Sequence, residues 1–96
     1  MAITMLGRKT VKGERFARVS GSELVITTVS VKGVRREEAY YLRQLAVNVF
    51  DLTSPAGDRH FVTIGKGADC DCEGWKRGYL CRHVGSLTAL RQRGKL

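Results

Sequence analysis

The stretch Ala68–His83, ADCDCEGWKRGYLCRH, holds all three cysteines of the 96-residue chain and one of its two histidines. Cys70, Cys72, Cys81 and His83 form a Cys-x-Cys pair, eight intervening residues and a Cys-x-His pair. A chain this short builds one modest core, and domains of this size are often helped by a metal or by disulfides. The spacing also restricts local geometry. Ligands two residues apart converge from an extended or tight-turn backbone, whereas on a helix they point about 200° apart. Cys81 is therefore expected just before a helix and His83 in its first turn.

Three thiolates and an imidazole suit Zn²⁺, which takes four sulfur or nitrogen ligands tetrahedrally; Cu(I) or iron also accept a thiolate-rich set. Two other readings use the same residues. A disulfide with one thiol left over fits poorly with an odd cysteine count in a reduced compartment. A Cys81–His83 nucleophile–base pair lacks an obvious oxyanion hole or third orienting group. The expectation is one structural Zn²⁺ held by Cys70, Cys72, Cys81 and His83. Four protein ligands close the shell, while a catalytic zinc keeps a position open for water, so neither an enzyme nor a small-molecule substrate is expected. His60 is expected on a strand surface rather than as a ligand. Trp75 reads as a packing anchor rather than a base-stacking platform.

Along the chain, residues 1–22 read as a basic, partly flexible arm, rich in Gly, Ser, Thr and Lys/Arg with few large apolar residues. ELVITTVSV, Glu23 to Val31, is β-branched and reads as a strand, with a turn at Lys32-Gly33. In RREEAYYLRQL, Ala39, Leu42 and Leu45 fit a helical face, but Tyr40-Tyr41 and the short gap after Gly33 favour a strand. Val47–Leu52 and His60–Ile64 are apolar runs around a Ser54-Pro55-Ala56-Gly57 turn, which makes a hairpin. CRHVGSLTALRQRG reads as a helix with His83, Leu87 and Leu90 on one face, ended by Gly94 at positive φ. The expected fold class is α+β. A small antiparallel sheet of about four strands, residues 23–65, is followed by a zinc-bound ββα-like finger and C-terminal helix, residues 66–96, packed with it as one domain.

The net charge is +8, unevenly spread. From Gly74 to Leu96 there are six basic residues and no acid, and from Gly7 to Arg18 five basic residues and one acid. Basic ends around a slightly acidic middle point to a polyanion such as nucleic acid, with a solubilising surface as the alternative. On the helix wheel, Arg82, Ser86, Ala89 and Arg93 form a stripe away from His83, and this stripe is the expected phosphate-facing surface. Arg82, Arg93, Lys76 and Arg77 are the first candidate nucleic-acid contacts, then Arg8, Lys9 and Lys12. No signal-peptide core and no run of about 20 apolar residues is present. A soluble, cytoplasmic protein without membrane association is expected.

The CxC, eight-residue gap and CxH pattern resembles the SWIM zinc finger. The apolar FVTIG before Cys70, Trp75 after Cys72, Arg82 within the CxH and the continuing LTALRQRGKL strengthen the likeness over residues 58–96. The resemblance implies a β-hairpin before a short helix, zinc on all four residues, and a role in binding DNA or protein. The chain has no GxxxxGK[ST] loop and no room for a transposase core, unlike large SWIM proteins. The expected function is nucleic-acid binding, DNA ahead of RNA. A protein-interaction adaptor with a structural zinc is the alternative, with the sheet edge or the Trp75 region as its docking surface.

Overall fold

The computed structural model describes residues 12–96. Six strands form one antiparallel sheet in the order of the chain: β1 (Glu14–Ser20), β2 (Glu23–Val29), β3 (Arg35–Ala46), β4 (Val49–Thr53), β5 (Arg59–Thr63) and β6 (Asp69–Cys70). Two helices follow, α1 (Glu73–Lys76) and α2 (Arg82–Gln92). Among the described residues no helix is long and apolar enough to cross a membrane.

The class is α+β, as the sequence implies, but the sheet has six strands rather than about four. The first extra strand, β1, lies within the segment read as a loose arm. It pairs with β2 through Ala17↔Ile26 and Val19↔Leu24, and the hairpin turns at Gly21 with φ +60°. Its half-buried positions are Arg15, Ala17 and Val19, alternating with exposed ones. A strand whose inward face carries an arginine and an alanine shows little hydrophobic alternation in sequence. The second, β6, is only two residues long and pairs Val62↔Cys70 and Thr63↔Asp69.

Segment 36–45 is strand. β3 pairs with β2 through its first half and with β4 through its second, which occupies backbone groups a helix would need. Tyr40 is buried, while Tyr41 points to the opposite, exposed face. Val47-Asn48 forms the turn between β3 and β4 instead of beginning a strand, and Val47 is exposed.

Helix α2 packs against β1 at one edge of the sheet and against β5 and β6 at the other. One core joins sheet and finger: Leu24, Ile26, Phe50 and Leu52 from the sheet are buried with Trp75, Val84, Leu87 and Leu90 from the helices. Burying a leucine in such a core is worth about 1.5–3 kcal/mol. Cys81 caps the helix, its Sγ accepting from the Val84 N–H. The helix closes where Gly94, at φ +72°, lets the Lys95 N–H reach the Leu90 carbonyl.

Gly85 sits inside α2, where glycine costs about 1 kcal/mol relative to alanine. A Cβ there would meet Leu80 Cγ at 3.6 Å, an ordinary van der Waals contact. Gly85→Ala is therefore expected to stabilise the protein by about 0.5–1 kcal/mol, read as a raised urea midpoint. A lowered midpoint would show that the helix needs a closer approach at this point than its packing displays.

Candidate metal centre

The four donors come from three local structures. Cys70 ends β6, Cys72 precedes α1, Cys81 is the N-cap of α2 and His83 lies in its first turn. The three cysteines are free thiols. Cys70, Cys81 and His83 are buried and Cys72 is partly so. Their ligand atoms all lie within 4.8 Å of one another, and His83 Nδ1 is 3.6 Å from Cys70 Sγ. Zinc bonds of about 2.0–2.3 Å give a tetrahedron with edges of about 3.3–3.8 Å, so these donors need only a small contraction to enclose the ion. The cluster can hold one structural zinc ion.

Burial and neighbours set the thiols apart. The hydrogen bond from Cys70, aided by His83 and the Val84 N–H, outweighs burial and draws the Cys81 thiol down to about 4. The same pairing with Cys81, together with burial, drives Cys70 far upward. Burial is the main cause of the rise at Cys72. The direction of these shifts favours the thiolate at Cys81, and binding zinc must displace the protons of Cys70 and Cys72.

Three thiolates and a neutral imidazole around Zn²⁺ carry a formal charge of −1. Arg15 and Arg82 supply opposite charge: Arg15 interacts electrostatically with Cys81 and Cys72, and Arg82 with Cys72. Arg15 reaches from β1 to donate through Nη1 to the Leu80 carbonyl at 2.9 Å.

The ring of His83 is oriented from the sheet. With Nδ1 toward Cys70, its Nε2 lies 3.2 Å from the Tyr40 hydroxyl on β3. This assigns the Nε2–H to that hydroxyl and leaves Nδ1 for the metal. The Tyr40 hydroxyl also bonds with Arg82 and Glu38; burial foremost, with Glu38, raises its pKa and keeps it protonated. Tyr40→Phe is expected to weaken zinc binding about 10–100-fold while the protein stays folded, measured by competition with a chromophoric chelator. Unchanged affinity would show that the hydroxyl does not orient the ligand.

His60 stands beside the cluster. Its ring stacks on His83 at 4.6 Å between centroids, and its Nδ1 lies 2.8 Å from Asp71 Oδ1. Trp75 is buried in the core. Sequence reasoning named the four ligands but not Tyr40, Glu38 or Arg15, which stand far from the cysteine window and follow no spacing rule.

The candidate nucleic-acid residues are less uniformly placed. Lys12, Lys76 and Arg77 are exposed, Arg77 pairing with Glu73 at 3.3 Å across a solvated helix turn. Arg82 forms an ion pair with Glu38, Nε to Oε1 at 2.7 Å. Arg93 donates to the Ala17 carbonyl at 2.9 Å. The stripe Arg82, Ser86, Ala89 and Arg93 is not an open surface: Ser86 is buried, because that side of α2 lies toward β1. Arg8 and Lys9 lie outside the described residues.

No curated protein and no solved structure matches the chain. The segment that supplies all four donors, together with β5 before it and most of α2 after it, does match a family: residues 60–89 fit the family model of the SWIM zinc finger, and the four donors form its CxC…CxH-like cluster.

Proposed function

We propose that this protein is a non-catalytic zinc module that binds nucleic acid, DNA ahead of RNA, through the basic surface around its finger. The observation that carries the reading is the separation of charge. Gly74 to Leu96 contributes six cations and no acidic side chain, and only Arg77 and Arg82 of the six are ion-paired among the described residues. The sheet face turned away from α2 carries both signs instead, as where Asp51 pairs with Arg59 at 2.6 Å and with Arg43 at 3.3 Å. An excess of positive charge around a metal-stiffened finger suits phosphate contacts, which give affinity without sequence preference. The four-donor set supports a structural rather than catalytic metal. Three free thiols gathered as ligands suit a reducing compartment such as the cytoplasm.

One observation favours a protein partner. Phe16, Tyr41 and Phe61 lie on that same sheet face and are 53%, 60% and 50% exposed. Fluorescence anisotropy of labelled DNA and RNA with zinc-loaded protein tests the main reading. Binding that weakens steeply between about 50 and 200 mM salt is expected. Absence of binding at low salt would hand the function to the aromatic face and a protein partner.

A further inference from the structure

We propose that the junction of the front sheet and the finger is a groove for a nucleic-acid backbone, with Lys12, Arg15, Arg36 and Arg82 as its cations. This rests on the nucleic-acid reading above and gives it a location. Only Arg82 of the four lies within the segment that matches the finger family.

A groove of about 540 Å³ is lined by Lys12, Glu14, Arg15, Thr28, Arg36 and Arg82, among others. Its floor follows from strand register. Arg15 on β1 is opposite Thr28 on β2, and Thr28 is opposite Arg36 on β3. Residues directly opposite share a sheet face, so two arginines stand about 10 Å apart, two interstrand spacings, with a threonine between them. Arg82 joins them from the start of α2.

Arg82 is paired with Glu38, but the other three cations are not fully consumed by the fold. Among the described residues neither Lys12 nor Arg36 has an ion-pair partner. Arg15 Nη1 is used by Leu80, but its Nε is buried with no hydrogen-bond partner among the described residues. The fold thus leaves part of this guanidinium's hydrogen-bonding capacity unfilled at the groove wall. The opposing charges are Glu14 in the groove wall and Glu38, which is held by Arg82.

The shape fits a strand better than a single small anion. Arg15 and Arg82 also border a second hollow of about 430 Å³, whose other walls are the metal ligands Cys72, Cys81 and His83 and, beyond them, Glu73 and Arg77. The two hollows share a wall of two arginines, so a path runs from Lys12 and Arg36 over the rim of the metal site to Arg77, with Glu73 as the opposing charge at its far end. A backbone carrying a phosphate at each nucleotide can follow such a path; an isolated phosphate would occupy only part of it.

The test compares zinc-loaded wild type, a Lys12→Ala/Arg36→Ala double variant and a Lys95→Ala control, each titrated with labelled DNA across salt. Both groove side chains are exposed and unpaired, so zinc content and folding should be unchanged. The double variant should lose about 2 from the slope of log affinity against log salt, at roughly 0.9 per phosphate contact, and the control should lose much less. The Arg15 Nε–H resonance should shift when unlabelled DNA, or inorganic phosphate as the minimal probe, is added. Wild type without salt-dependent binding removes the nucleic-acid reading and the groove together. Wild type that binds while the double variant keeps its slope removes the groove alone.

Discussion

Removing zinc is expected to unfold the whole domain, not the finger alone. Val84, Leu87 and Leu90 of α2 lie in the same buried cluster as Leu24, Ile26, Phe50 and Leu52 of the sheet. Cys70 and Cys81 belong to that cluster too, so the metal ligands are part of the wall of the core. Structural zinc contributes an apparent 10–16 kcal/mol or so in finger peptides, while a small domain has only about 5–15 kcal/mol in total. Without the ion, the helix loses its anchor, and the sheet loses the surface that covers its inner face. Chelation followed by amide exchange should therefore remove protection from β2–β4 and from α2 together. Survival of protection at Leu24–Ile26 and Phe50–Leu52, with residues 82–92 exchanging freely, would show two separable units instead.

Phe50→Ala is expected to cost about 3–5 kcal/mol, a large share of the stability available. Phe50 is 1% exposed, it faces the core from β4, and the Arg91 guanidinium lies 5.8 Å from its ring centroid. Phe61, on the neighbouring strand, faces the other way, with the Arg59 guanidinium 5.3 Å from its ring. Phe61→Ala should stay within about 0.5 kcal/mol, as exposed substitutions usually do. Urea titration should give midpoints far apart for the two variants, with similar slopes. Equal losses would mean that the outer face is covered, by a second copy or otherwise, in the protein as it exists in solution. The exposed aromatics can thus be removed to test the protein-partner reading without unfolding the molecule.

The ligand set was legible because metal coordination imposes short-range rules. CxC and CxH spacings have few geometric solutions, and the capping role of Cys81 follows from the second one. The hairpin around Pro55-Ala56-Gly57 was legible for a similar reason, since turn chemistry is local. What sequence did not reveal depends on partners far along the chain. β1 is a strand because β2 pairs with it, although its inward positions include Arg15 and Ala17. Leu42 and Leu45 suit a helix by spacing, but pairing with β4 turns Leu42 inward and leaves Leu45 exposed. Tyr40 orients His83 across a separation of 43 residues, and no pattern in either neighbourhood announces it. The outward stripe of α2 failed as an open surface for the same reason. A wheel shows which residues share a side, but not what lies against that side.

The seat of α2 along β1 also bears on how far the sheet's edge is open to another strand. A sheet with open ends offers unpaired backbone groups to any passing strand. At one end β6 is two residues long, too short to template much pairing. At the other, β1 is seven residues long and is the greater hazard. Here α2 lies against it, Arg93 covers the Ala17 carbonyl, and Glu14, Arg15 and Arg18 place charge along the strand. These are the devices by which soluble β-proteins discourage edge-to-edge aggregation. Arg93 therefore closes part of this edge through a backbone contact, whatever its charge contributes to attracting a polyanion.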